Sequence, residues 1–178
     1  RGVLRVEMRK PTRNVAGPLA TMPQLSDAQL EAYHAIHAGL VKRMPVLLHG
    51  VTGSGKTEIY THLIAEALSA GQQVLFLVPE IALTTQLIER LRRFFGDVVM
   101  VYHSRFSTRE RTETWMEVSS PKGGQLVVGA RSAIMLPMPQ LGLVLVDEEH
   151  ETSFKQHDPT PRYHARDVAI MRGRIENA

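Results

Sequence analysis

Eight consecutive residues, Gly50-Val51-Thr52-Gly53-Ser54-Gly55-Lys56-Thr57, have the composition of a loop that holds a polyphosphate. They follow the spacing Gly-x-x-x-x-Gly-Lys-Ser/Thr. The glycines permit positive φ angles and close backbone approach, so successive N–H groups can turn inward as an anion nest. A helix beginning near Gly55 would direct its positive end at the same phosphates. Lys56 offers a point charge to the β- and γ-phosphates, and Thr57 a hydroxyl to Mg²⁺. A second stretch, Leu143-Val144-Leu145-Val146-Asp147-Glu148-Glu149-His150, is an apolar run ending in acids. Asp147 could hold Mg²⁺ through its water shell. Glu148 could orient and deprotonate an attacking water. The two stretches together point to a nucleoside triphosphate, Mg²⁺, and hydrolysis or transfer. Kinase and GTPase chemistry stays open at this level. No Asn-Lys-x-Asp stretch is present to read guanine, and the Asp-Glu pair favours ATP hydrolysis.

Lys56 and Asp147 can meet only if one scaffold brings them to one edge. In a parallel sheet the C-terminal ends of the strands share that edge. Short apolar runs over 46–49, 74–78, 98–102, 126–128 and 143–146 predict five buried strands. Helical spacing fills the intervals over 27–42, 56–70, 83–95, 107–118 and 164–175. Ser26 and Ser107 are placed as N-caps, and Gly71 and Gly96 as helix-ending residues. Strands alternating with helices predict an α/β fold with a three-layer, doubly wound parallel sheet.

The 178 residues suffice for one α/β domain, and a 43% hydrophobic content suffices for a core. No apolar run reaches the roughly 18 residues of a membrane helix, so no membrane role is expected. With no cysteine, disulfides, thiolate metal sites and Cys nucleophiles are excluded, as suits a cytoplasmic setting. The net charge of +3 is unevenly placed: Arg1, Arg5, Arg9, Lys10 and Arg13 face only Glu7, leaving the rest of the chain at −1. Pro11, Gly17, Pro18 and Pro23 follow, so residues 1–24 are expected to form a basic linker arm ahead of a domain over 25–178.

Beyond these two stretches the chain resembles the superfamily 2 helicases. Asp147-Glu148-Glu149-His150 is similar to their DEAH-like box. Val78-Pro79-Glu80-Ile81-Ala82-Leu83-Thr84-Thr85-Gln86 resembles motif Ia, and Gly129-Ala130-Arg131-Ser132-Ala133 resembles motif Ib. Glu149-His150-Glu151-Thr152-Ser153-Phe154-Lys155-Gln156 followed by Pro161-Arg162-Tyr163-His164-Ala165-Arg166-Asp167 narrows the likeness to the bacterial replication-restart helicases. The likeness covers residues 25–174.

That resemblance implies a RecA-like P-loop NTPase lobe, the first of two in an ATP-dependent 3′-to-5′ DNA helicase that assembles primosomes at stalled forks. It implies that Gln29, in a stretch like the upstream Q motif, reads adenine. It implies DNA contacts from Thr84, Gln86, His103, Ser104, Arg131 and Ser132, residue types suited to phosphates. Thr84 and Ser132 equally suit helix caps. The stretch 154–164 resembles an aromatic-rich loop coupling DNA to ATP hydrolysis, with Phe154 and Tyr163 stacking on bases and Lys155 and Arg162 meeting phosphates. His150 would link the γ-phosphate side to that loop.

The partners implied are single-stranded and forked DNA, single-stranded-DNA-binding protein and other primosome proteins. A bacterial, cytoplasmic setting follows from the same likeness. The family's next motif, Ser-Ala-Thr-Pro, lies on a strand between the phosphate-loop strand and the Asp147 strand. It does not occur in these residues, nor do a second lobe, its arginine finger or the cysteines for structural Zn²⁺. The chain is therefore expected to be an incomplete lobe of low activity by itself. A P-loop small-molecule kinase and a non-catalytic DNA-binding or loading module remain the alternatives.

Overall fold

The computed structural model describes residues 20–51 and 53–178. The basic segment of the expected linker arm therefore lies outside the described residues, as does Thr52 of the phosphate loop. Among the described residues five α-helices and four strands follow in the order α1 (Asp27–Val41), α2 (Lys56–Ser69), β1 (Gln73–Leu77), α3 (Thr85–Phe95), β2 (Val99–Tyr102), α4 (Thr108–Ser119), β3 (Gln125–Gly129), β4 (Leu141–Val146) and α5 (Ala165–Glu176). The strands form one parallel sheet in the order β2-β3-β1-β4.

Side-chain alternation along the strands divides the core into two layers. Val74, Phe76 and Val78 pack with Leu126 and Val128 against α1, α2 and α3. Leu75 and Leu77 pack with Val127 on the other side, against Val118 of α4 and Ala165 and Ala169 of α5. Both faces are thus covered, which is why the strands read as continuous apolar runs rather than alternating ones. Helix boundaries follow their caps. Ser26 and Ser107 each form a capping box, with Gln29 and Glu110. Gly71 (φ 75°) and Gly96 (φ 62°) turn the chain out of α2 and α3 in backbone regions that a Cβ disfavours.

One predicted strand is absent among the described residues. Residues 46–49 have no regular secondary structure and join no sheet of the described residues, and Val46 and Leu47 are 41% and 72% exposed. A strand exists only through its neighbours' hydrogen bonds, and this segment has none. A cleft of about 690 Å³ separates it from β4, with Leu40, Val46, Leu48, Val144, Val146 and Ile170 in its walls. That is the position the sequence reading assigns to a further strand. The sheet is consequently four-stranded, with β4 at its edge. No helix among the described residues is long and apolar enough to cross a membrane.

Candidate functional site

The described part of the phosphate loop, residues 50–51 and 53–55, precedes α2. Gly53 (φ 82°) and Gly55 (φ 83°) both occupy the left-handed region. At Gly55 a Cβ would also collide with the Gln29 amide and approach Glu58 Oε2 to 2.7 Å. Gly55 is the N-cap of α2, and no side chain caps that helix. Of its first N–H groups, that of Glu58 donates to Gly55 O (3.0 Å); those of Lys56 and Thr57 suit an external acceptor, the arrangement that favours an anion at a helix start. Val51 is 76% exposed, Ser54 N–H donates to Val51 O (3.2 Å), and Thr57 lies in the first turn of α2.

Lys56 stands where the loop meets the acids. Its Nζ donates to Gly50 O (2.6 Å) and lies 3.8 Å from Glu148 Oε1. Asp147 follows β4 directly, and its N–H donates to Leu77 O (2.9 Å), fixing it at the C-terminal edge of the sheet. Burial pushes the Asp147 carboxyl above its usual value, and the neighbouring Glu148 charge adds to that; a hydrogen bond from the Glu148 backbone, Lys56 and Tyr60 pull the other way. Glu148 has φ 48°, a left-handed conformation costing about 1 kcal/mol or more in a non-glycine residue. It is the second residue of the turn over 147–150. His150 is 70% exposed at its side chain, with Nε2 3.8 Å from Glu148 Oε2. Glu148 therefore sits between Lys56 and His150.

Gln29 reaches this site by a route that spacing alone does not reveal. Its Oε1 accepts from Ser26 N–H (2.8 Å), and its Nε2 donates to Gly55 O (3.3 Å) and Glu58 Oε2 (2.5 Å). Both ends of the amide are engaged by the protein itself, tying the start of α1 to the rim of the loop.

The remaining strand ends place the other candidates along the same edge. After β1 come Thr84 and Gln86. The Thr84 hydroxyl accepts from Leu87 N–H (3.3 Å) as the N-cap of α3, and Gln86 is exposed. After β2, Ser104 Oγ donates to Glu80 Oε1 (2.8 Å), and His103 Nε2 lies 3.9 Å from the same oxygen. An acid thus stands between two residues expected to meet phosphates. After β3, Arg131 Nη1 donates to Lys155 O (2.8 Å) and Ser153 O (3.4 Å), with half-buried Ser132 beside it. Lys155 and Arg162 are exposed and Tyr163 is half-buried.

Phe154 requires a correction. Expected to stack on bases, it is fully buried, packed in the layer that holds Leu75, Leu77 and Ala165. The short helical turn over Thr152–Phe154 rotates its ring inward, while Thr152 and Ser153 face out. Burial of that much aromatic surface wins over exposure at the rim.

Sequence reasoning missed three contributors. Tyr60, one turn beyond Lys56 on α2, directs its Oη to Asp147 Oδ1 (3.4 Å); the four-residue spacing from Lys56 was the available signal. Arg166 Nη1 meets Glu149 Oε2 (2.7 Å) and ties the acidic turn to α5. Glu80 holds Ser104. Neither of the last two has a local signature. Among the described residues no group of three or more His, Asp or Glu side chains could cage a metal. The donors near the loop, Thr57 hydroxyl and Asp147 carboxylate, are hard oxygens. They fit Mg²⁺, which shares its shell with waters and phosphates rather than an all-protein cage.

Residues 26–174 match the DEAD/DEAH box helicase family. The chain is similar to proteins named Replication restart protein PriA. It is 50% identical over 154 residues to that of Synechocystis sp., covering 86% of this chain and 18% of that protein. It is 46% identical over 158 residues to that of Chlamydia trachomatis, covering 88% and 21%. It is 48% identical over 150 residues to that of Bacillus subtilis, covering 83% and 18%. The chain thus spans about a fifth of the length of these relatives.

Proposed function

Since the chain belongs to the DEAD/DEAH box helicases and folds as a RecA-like α/β lobe, we propose that it is the ATP-binding first motor lobe of a PriA-type replication-restart DNA helicase. The domain is assigned to residues 25–178, behind a basic linker arm. The observation that carries the reading is the convergence of Lys56 with the acids that follow β4, Nζ to Glu148 Oε1 being 3.8 Å.

In this reading the N–H groups of Gly53, Gly55, Lys56 and Thr57, at the uncapped start of α2, receive the phosphates. Lys56 binds the β- and γ-oxygens, and Gln29 holds the loop rim against α1 beside the base. Thr57 and Asp147 hold Mg²⁺, which when bound neutralises phosphate charge. Glu148 accepts the proton of the attacking water, and His150 relays its position to the segment beyond. Single-stranded DNA runs over the edge formed by the residues after β2, β3 and β1, met by Thr84, Gln86, His103, Ser104, Arg131, Ser132, Lys155, Arg162 and Tyr163. The protein carrying this lobe moves 3′-to-5′ at forked DNA. Single-stranded-DNA-binding protein and primosome components are the partners that the resemblance of its motifs implies.

The test is ATP hydrolysis with and without single-stranded DNA, in the polypeptide carrying both motor lobes. DNA should raise turnover. Lys56→Ala should weaken nucleotide binding about tenfold to a hundredfold, the loss of one charge-assisted contact. Hydrolysis indifferent to DNA would return the reading to a small-molecule kinase. Full restart activity in the Lys56→Ala protein would point to a loading module instead.

A further inference from the structure

Asp147 is the carboxylate proposed above to hold the metal, yet it leaves the sheet at the edge strand, at the start of a turn whose next residue is left-handed. Nothing in the strand ladder orients its side chain. The backbone N–H of Asp147 is anchored to Leu77 O (2.9 Å), but that fixes only the main chain. Two donors reach the carboxylate: the Glu148 backbone N–H and the Tyr60 hydroxyl, whose Oη lies 3.4 Å from Oδ1.

Tyr60 is itself held. Its ring meets Phe76 edge-on, with centroids 5.8 Å apart and planes at 70°. Phe76, the fourth residue of β1, is 1% exposed. Tyr60 also stands one helical turn after Lys56, so both project from α2 toward the same cleft, whose walls include Tyr60, Lys56, Asp147 and Glu148. The ring alone would satisfy the packing against Phe76; the hydroxyl is the part that packing does not require.

We propose that Tyr60 is a positioning residue for Mg²⁺: its hydroxyl, braced by Phe76, holds the Asp147 carboxylate in the rotamer that shares the metal with the nucleotide phosphates. The role rests on the function proposed above and deepens it. It divides the work of α2 between its first turn, which takes the phosphates, and its second, which sets the metal's protein ligand.

The measurement is the affinity of the polypeptide carrying both lobes for a fluorescent N-methylanthraniloyl-ADP, titrated with Mg²⁺, for the natural sequence, Tyr60→Phe and Lys56→Ala. Tyr60→Phe keeps the ring and removes only the hydroxyl. It should raise the Mg²⁺ concentration giving half-maximal tightening about threefold to tenfold, the scale of one hydrogen bond. Affinity without Mg²⁺ should change much less. An unchanged Mg²⁺ requirement would overturn the role of Tyr60, as would an equal loss with and without Mg²⁺, which would mark Tyr60 as packing only. If the natural sequence and Lys56→Ala both fail to bind the nucleotide, the proposed function itself falls, and the role of Tyr60 with it.

Discussion

Lys56 and Glu148 form an ion pair across the gap between the phosphate loop and β4, with Nζ 3.8 Å from Oε1. The side chains are 18% and 40% exposed, so water screens the pair only in part. Glu148 thereby holds the cation that a triphosphate would claim. The same acid is proposed to accept a proton from the attacking water.

These two roles predict opposite effects of Glu148→Gln. Removing the charge releases Lys56 from its competitor, so nucleotide affinity should rise up to about fivefold, the worth of a partly exposed pair. Removing the base should lower kcat about a hundredfold or more. Equilibrium binding and steady-state hydrolysis separate the two. Affinity and turnover falling together would show that Glu148 only shapes the turn.

Asp147 predicts a conflict between stability and function. Burial, with the Glu148 charge beside it, raises its pKa in the fold above the ordinary 3.8. Its contribution to stability is therefore fully present below that ordinary value and is lost as pH rises through the raised one. At neutral pH the ionised carboxylate costs stability. Asp147→Asn should raise the melting temperature at pH 7, and the gain should shrink as pH falls toward 4. Melting curves across that range check the sign. Mg²⁺-dependent nucleotide binding should be lost in the same variant.

The parts of the site that were legible in the sequence are those whose chemistry is local. The loop Gly50–Thr57 declares itself through glycine spacing, and Asp147 through an apolar run ending in acid. Ser26 and Ser107 declare their helices because a cap needs only its own first turn. Residues 46–49 misled because a strand is a property of two segments, and its composition cannot name the second. Phe154 misled because an aromatic near a surface loop turns whichever way buries more of it. Gln73 gave no sign at all. A polar residue opening an apolar strand, it is 0% exposed. Its amide joins Val118 O, the Gln125 side chain and Gln140 N–H, knitting the lower end of the sheet.

Arg131 predicts the order of the segment beyond the acids. One guanidinium nitrogen donates to both Ser153 O and Lys155 O, and within the segment Gln156 N–H donates to Tyr163 O (2.8 Å). Arg131→Ala should speed amide exchange over 153–164 about tenfold, as two charge-assisted bonds are lost. Arg131→Lys should recover only part of the protection, because an ammonium lacks the planar fork. Single-stranded DNA added to the unaltered protein should show whether phosphate draws the guanidinium off: exchange would then rise over the same residues.

Phe154 predicts which kind of residue it is. If its ring served bases at the surface, Phe154→Ala would weaken DNA binding and leave the fold alone. Full burial beside Leu75, Leu77 and Ala165 demands the reverse. Truncation removes the transfer energy of a phenyl group and leaves a cavity, about 3–5 kcal/mol together. For a domain of this size that lowers the melting temperature by roughly 6–20 °C. Tyr163→Ala is the internal comparison. Tyr163 is half-buried and packs only on the margin of that layer, so its loss should cost clearly less stability. A melting curve of each variant decides the matter, since a surface aromatic and a core aromatic at position 154 cannot give the same shift.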